Sequence, residues 1–276
     1  MTETPRTAVV IPCFNDGLLA REAVASVIED EPIEIVVVND GSTDPSSVAA
    51  LSELEQAGTR VLWLDNGGVA HARTLGMQAT SAPYVFPLDS DDLLCAGSLG
   101  SLADALDAHP VAAFAFGDYL IFGDYDGRYR APARFDAWAL TYANHYPIGS
   151  LIRRNALEAV GGWDLADGYE DWDLWLKLAE AGYDGVNGGI VVYRRRLHDD
   201  LRGLARMRRN HAHLCDLIRE RHAPLYARRS ELRQESGVGL ARRLAYPLLL
   251  GNRRRFLPIR LDEWLKRQMF TRGLRP

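Results

Sequence analysis

Apolar runs and helical patterns alternate through the first third of the chain, and every apolar run stops at a polar turn. Residues 8–12 read as a strand, with Asn15-Asp16-Gly17 as turn and cap before a helical pattern over 18–29. Leu19, Ala23 and Val27, with Val24 and Ile28, give that helix an apolar face. Residues 33–38 form the most hydrophobic strand, which stops at Asn39-Asp40-Gly41-Ser42-Thr43-Asp44-Pro45 and opens a helix over 46–56. A strand at 61–64, the turn Asp65-Asn66-Gly67-Gly68, a helix over 69–79 and a strand ending at Asp89 complete the series. Such alternation implies a parallel sheet with helices on both faces, an α/β architecture. Ligands of such sheets sit beyond the carboxyl ends of the strands, which gathers residues 12–16, 39–44, 66–68 and 89–92 at one edge.

The last of these strands, Tyr84-Val85-Phe86-Pro87-Leu88, runs into Asp89-Ser90-Asp91-Asp92, three carboxylates within four positions. Strand alternation puts Asp89 and Asp91 on one face with Ser90 opposite. Carboxylates crowded at the end of a buried strand need a cation or hydrogen-bond donors to offset their repulsion. Hard oxygen ligands suit Mg or Mn, held by few carboxylates and the phosphates of a substrate. The competing reading is an acidic turn that caps the next helix through Asp92. No dinucleotide fingerprint occupies this edge: Cys13-Phe14-Asn15-Asp16-Gly17 is not Gly-x-Gly-x-x-Gly, and no phosphate-loop motif of the Gly-x-x-x-x-Gly-Lys-Ser/Thr kind occurs. Asp40 suits a ribose or base edge as acceptor, and an Asx-type turn with Gly41 is compatible with that role.

Beyond Gly97 the pattern becomes mixed. A helix over 98–109 precedes strands at 111–116 and 119–122, and a turn at 124–127 leads into a short return, as in a hairpin. Residues 147–152 read as another strand and 154–160 as a short helix ending at Gly161-Gly162. A helix follows whose first turn carries Glu170, Asp171 and Asp173, where the helix dipole favours anions. From Tyr193 the chain turns Arg-rich and is expected to lead into helices that run to the end.

Charge divides the chain unevenly. Residues 1–190 hold 10 Lys+Arg against 29 Asp+Glu, and residues 191–276 hold 22 against 8, which together give the net charge of -5. A basic tail of this kind can meet a membrane surface, a phosphorylated ligand, a second copy of the chain as a homodimer, or the acidic body of its own chain. The three cysteines, Cys13, Cys95 and Cys215, form no CxxC pair, so a reducing cytoplasm is expected and a zinc site is not. No apolar run reaches membrane-spanning length, and the short polar start implies no signal peptide. The expected location is cytoplasmic, with a peripheral place at the inner face of the cell membrane as the further possibility the tail allows. No nucleic-acid partner is expected.

With these segments in place, the chain resembles a family 2 glycosyltransferase of the GT-A fold. The resemblance rests on Val9-Val10-Ile11-Pro12-Cys13-Phe14-Asn15, Val37-Val38-Asn39-Asp40-Gly41-Ser42-Thr43-Asp44, Asn66-Gly67-Gly68-Val69-Ala70-His71-Ala72-Arg73, and Tyr84 through Asp92, met in that order. Gly161-Gly162-Trp163-Asp164 followed by Tyr169-Glu170-Asp171-Trp172-Asp173 looks like the acceptor-side part of the same family. The resemblance implies a nucleotide-sugar-binding half at 1–95, an acceptor-binding half at 96–204, and a basic, mainly helical extension at 205–276 that lies outside it. It further implies transfer of a sugar from a UDP-, dTDP- or GDP-linked donor to a hydroxyl of a carbohydrate, lipid-linked or small-molecule acceptor, with inversion and a divalent metal (Mn or Mg). On that reading Pro12, Phe14, Asn15, Asp40, Gly68, Arg73, Asp89 and Ser90 contact the nucleotide sugar, Asp40 and Arg73 at the base. Asp91 holds the metal with Asp89 and with His198, which stands two positions later than the family's usual histidine. Asp171 is the general base, Glu170 orients it or meets the acceptor, and Trp163 is an acceptor platform or a core tryptophan. A nucleotidyltransferase and a catalytically silent sugar-nucleotide-binding scaffold are the alternatives. The first would carry a Gly-rich basic loop where residues 13–17 stand, and the second has no need of Asp89, Asp91, Glu170 and Asp171 together.

Overall fold

The computed structural model describes residues 4–124, 126–166, 168–197 and 201–249. Strand β1 (Thr7–Cys13) is buried along its whole length, as a parallel strand covered on both faces must be. It pairs in parallel with β2 (Ile33–Asp40), which pairs in parallel with β3 (Arg60–Leu64), and on its other side with β4 (Tyr84–Pro87). Alternate residues of β1 feed two cores: Val10 joins Phe114, Trp138 and Trp175, while Val9 and Ile11 join Phe86, Leu99 and Leu102.

Helices α1 (Gly17–Ala25), α2 (Pro45–Gln56) and α3 (Val69–Gln78) make the crossovers. Asp44 caps α2 by accepting from the Ser47 amide, with Pro45 in the first turn, where its missing N–H costs nothing. A β-carbon at Gly76 of α3 would collide with Val10 and Val38, so glycine lets that helix lie close on the sheet. Helix α1 stops short of the expected Glu29. The Ser26 hydroxyl donates to the Ala23 carbonyl and accepts from the Leu94 amide, and the Glu29 carboxylate accepts from the amides of Leu99 and Gly100. Residues after α1 are thus drawn off to satisfy the start of the helix that begins at Ser98.

The remaining strands build the mixed half. They are β5 (Leu93–Leu94), β6 (Ala112–Gly123), β7 (Gly127–Tyr129), β8 (Leu151–Arg153) and β9 (Asp184–Leu197), with helices α4 (Ser98–Ala108), α5 (Ala137–Leu140), α6 (Arg154–Ala159) and α7 (Glu170–Glu180). The sheet order is β3-β2-β1-β4-β8-β6-β9-β5, with β7 paired to β6. β8 runs antiparallel to β4 and β6, and β9 parallel to β6 and antiparallel to β5. The two expected strands at 111–116 and 119–122 are one strand, β6, and the expected hairpin is its antiparallel pairing with β7. Of the strand expected over 147–152 only its end pairs, because Ser150 turns back to the carbonyls of Pro147 and Ile148. Arg194, Arg195 and Arg196 lie on β9, not at the start of helices. Gly185, Asn187, Gly188 and Gly189 interrupt any β pattern there, and the ladder with β6 carries register shifts around Phe116 and Asp118.

Helices α8 (Leu201–Arg221), α9 (Ala223–Ala227), α10 (Arg229–Glu235) and α11 (Leu240–Leu249) form the described part of the extension. It is docked on the mixed half through the acidic body of the same chain. Asp173 accepts from Arg221 Nε at 2.8 Å, and His222 Nε2 and Lys177 Nζ lie 3.0 Å and 3.2 Å from its oxygens. Arg229 Nε donates to Thr141 Oγ1, Ser236 and Gly237 donate to Asp136, and Tyr246 stacks on Trp138 at 5.7 Å. Among the described residues no helix is long and apolar enough to cross a membrane.

Candidate active site

Three polar turns at the carboxyl edge are tied to one another by side chains. Asn15, with a φ of 62°, accepts from the amides of Thr43 at 2.7 Å and Asp44 at 2.9 Å, and its own amide donates to Ser42 Oγ. Asn tolerates this left-handed conformation because its short amide bonds locally. Asp40 is buried and reaches across to the next turn, accepting from Gly67 N at 2.8 Å and Gly68 N at 2.9 Å. The expected Asx-type turn through Asp40 is instead made by Asn39, whose side chain accepts from the Ser42 amide. Gly68 has a φ of 87° at the start of α3, a conformation that favours glycine. Pro12 and Ser90 are buried, while Phe14 is 46% exposed beside them in the chain.

The acidic turn after β4 differs from the strand expectation. The chain leaves the sheet after Pro87, and the Asp92 amide donates to the Asp89 carbonyl, so a turn and not strand alternation sets the directions of Asp89 and Asp91. Nor does Asp92 cap a helix. It is buried and accepts the Arg196 amide at 2.9 Å, while Arg196 Nε donates to the Asp91 carbonyl at 3.0 Å, which ties the turn to the end of β9. Burial, with the charges of Asp89 and Asp91, pushes the Asp92 carboxyl up to about 8.

Arg73 joins the acidic turn after β4 to the first turn of α7. Its side chain is 3% exposed, and its two terminal nitrogens donate separately, to Asp89 Oδ1 at 2.6 Å and to Glu170 Oε1 at 2.8 Å. Burial works against its charge, but Asp89 and Glu170 outweigh that and hold the guanidinium above its ordinary range. The two acidic clusters, separated by some eighty positions in sequence, therefore lie within the span of one guanidinium.

Asp171, next to Glu170 in the first turn of α7, accepts from Asn144 Nδ2 at 2.7 Å and from the Trp172 amide at 2.7 Å. Burial and the neighbouring Glu170 charge push its carboxyl up to about 7, against the Trp172 hydrogen bond and the charges of Arg73 and Arg195. Arg195 is hydrogen-bonded to Tyr119, and its charge acts on Asp92 as well as on Asp171. A carboxyl poised near neutrality can take and return a proton. Trp163 is 2% exposed and belongs to the core, so its ring face is not an open platform. His198 lies outside the described residues. Asn144, Arg195 and Arg196 carry no sequence signal of their own. Only the fold brings them to the two clusters.

Among the described residues no group of three or more His, Cys, Asp or Glu is spaced to hold a metal ion. The donor set at the acidic turn still fits a hard cation: Asp89 and Asp91 set carboxylate oxygens two positions apart in one turn, the ligand type such a cation takes.

A family model described as "Glycosyl transferase family 2" matches residues 8–161. The chain belongs to glycosyltransferase family 2. Glycosyltransferase GlyG of Streptococcus pneumoniae is 29% identical over 126 residues, 44% of this chain and 42% of GlyG. The chain spans less than half the length of several of the curated relatives it matches. Among solved structures, Staphylococcus aureus TarS 1–349 in complex with UDP-GlcNAc superposes with a TM-score of 0.58 at 15% identity, covering 86% of this chain and 69% of that one. The mannosyltransferase PcManGT of Pyrobaculum calidifontis, in complex with GDP-Man and Mn2+, gives 0.58 at 18% identity over 97% of this chain and 85% of its own. The fold is the GT-A fold.

Proposed function

We propose that this family 2 chain transfers a sugar from a nucleoside-diphosphate sugar to an acceptor hydroxyl in a single displacement that inverts the anomeric carbon. The observation that carries the reading is Asp171, held by Asn144, raised to about 7, and one guanidinium away from the acidic turn through Glu170 and Arg73. The acceptor oxygen forms a bond to the anomeric carbon as the bond to the diphosphate oxygen breaks, and the hydroxyl proton passes to Asp171 Oδ. Glu170, bonded to Arg73, orients that end of the helix and meets the acceptor. On the donor side the turn of Asn15, the Asp40-bound amides of Gly67 and Gly68, and Ser90 form the wall against which the nucleotide lies, with Phe14 at its rim.

Asp91 and Asp89 would hold a divalent cation, Mn or Mg, together with the diphosphate. Bound there, the cation supplies charge that offsets the departing nucleoside diphosphate. UDP-GlcNAc and GDP-Man, the donors in the TarS and PcManGT structures, make UDP and GDP the first nucleotides to try.

Isothermal calorimetry with UDP, dTDP and GDP, each with and without Mn, tests the donor site. One of the three is expected to saturate, more tightly with Mn, and to lose that gain in Asp91→Asn. Heat from none of them, or an Asp91→Asn chain that responds to Mn like the unaltered one, would count against the reading.

A further inference from the structure

A cavity of about 570 Å³ lies between residues 129–146 of the acceptor-side half and 237–246 of the extension. Its walls carry three arginines, Arg130, Arg134 and Arg242, together with Tyr129, His145 and Tyr246. The side chains of those three arginines enter no ion pair or hydrogen bond among the described residues. Three other arginines close by in sequence are engaged: Arg128 with Asp118, Arg229 with Thr141, and Arg243 with the Ser236 carbonyl. The acidic wall residue, Asp136, is already satisfied by the amides of Ala139 and Gly237 and the hydroxyl of Ser236. Three arginines thus line one concave surface against a single carboxylate, Asp136, whose hydrogen bonds are made elsewhere, which leaves a net positive wall suited to an anion.

The position of the cavity gives the anion a purpose. His145 follows Asn144, the residue that holds Asp171. Tyr129 donates to the His145 carbonyl at 2.8 Å and stacks on Tyr119 at 4.7 Å, and Tyr119 bonds Arg195 beside the catalytic pair. We propose that this cavity binds an anionic group, a phosphate or carboxylate, of the acceptor, at a distance along the molecule from the hydroxyl that receives the sugar. The proposal rests on the reading of Asp171 as the acceptor-side base. It also gives the extension a role in acceptor recognition, since Arg242 and Tyr246 come from α11.

The test uses the full chain and three small probes, methyl phosphate, glucuronate and the neutral methyl glucoside, titrated by calorimetry at low salt. At least one anion is expected to saturate and methyl glucoside is not. Arg130→Gln/Arg242→Gln should weaken the anion by about tenfold or more, and Arg130→Lys/Arg242→Lys should restore part of it. Binding of the nucleoside diphosphate, measured on the same samples, should be retained and should not displace the anion. Preference between methyl phosphate and glucuronate names the acceptor chemistry. No saturable anion binding, binding unchanged in the Gln variant, or displacement by the nucleoside diphosphate would each overturn the proposal. A wild-type chain that binds the anion but no nucleoside diphosphate would contradict the donor reading and, with it, the acceptor role given to the cavity.

Discussion

Asn144 Nδ2 donates to Asp171 Oδ2 at 2.7 Å, from a loop that no motif covers to the first turn of α7. The bond favours the ionised carboxylate, whereas burial favours the neutral acid, and burial prevails. Asn144→Ala removes the donor and should raise the carboxyl further, by about one pH unit for a hydrogen bond of about 1.5 kcal/mol to a charged group. Nucleoside-diphosphate release by the variant is expected to fall about fivefold at pH 7, approaching about tenfold at lower pH, and to recover at high pH. An equal loss at every pH would mean that Asn144 serves packing alone.

In the unaltered chain the base is the deprotonated form of Asp171, so activity should rise with pH through about 7. The stability effect has the opposite sign. The folded carboxyl lies above its ordinary 3.8, so ionisation opposes folding and stability declines as pH rises from that value through about 7. Asp171→Asn should therefore melt higher than the unaltered chain at pH 8, and by a smaller margin at pH 5, in parallel thermal scans.

Arg73 holds one carboxylate from each half through two separate terminal nitrogens, a fork that no shorter side chain or point donor reproduces. Arg73→Gln leaves Asp89 and Glu170 without their shared partner and is expected to cost roughly 3 kcal/mol of stability. Arg73→Lys keeps the charge but offers a point donor in place of a fork. It should recover part of the melting temperature while the affinity for the nucleoside diphosphate stays reduced. Full recovery of both would reduce Arg73 to a mere counter-charge.

Asp173 anchors the extension. Burial works against its ionisation, yet the His222 hydrogen bond and the charges of Lys177 and Arg221 hold it down to about 2. A carboxyl lowered from 3.8 contributes about 2 kcal/mol above the unfolded value, lost as pH falls from about 4 through about 2. Asp173→Ala should strip this contribution at neutral pH and leave Arg221 with Asp164 and His222 with Glu180 as their remaining acidic neighbours, and limited proteolysis should then cleave first within 205–249.

The parallel half was legible because each strand of it is a mainly apolar run that gives way to a polar turn, as at Val38-Asn39-Asp40-Gly41. The partners of the two acidic clusters were less so. Arg73 stood in a motif, but its bridge between Asp89 and Glu170 depends on the fold, which brings α3 to the acidic turn and to the start of α7. Asn144 sits between Ala143 and His145 in a loop without periodicity, and Arg195 belongs to a strand whose glycines conceal it. The acidic turn misled the strand argument because the chain curls after Pro87, and Asp92 then answers to Arg196, a tertiary partner no local pattern encodes.

The most direct measurement compares Asp171→Asn and Asp91→Asn in two assays, affinity for the nucleoside diphosphate with Mn and its steady-state release from the sugar donor. Asp171→Asn should bind as the unaltered chain does and release between about a hundredfold and ten-thousandfold more slowly, while Asp91→Asn should lose the Mn-dependent part of its binding. If Asp171→Asn turned over like the unaltered chain, the proton would be leaving by another route, and the division of labour between the two acidic clusters would be wrong.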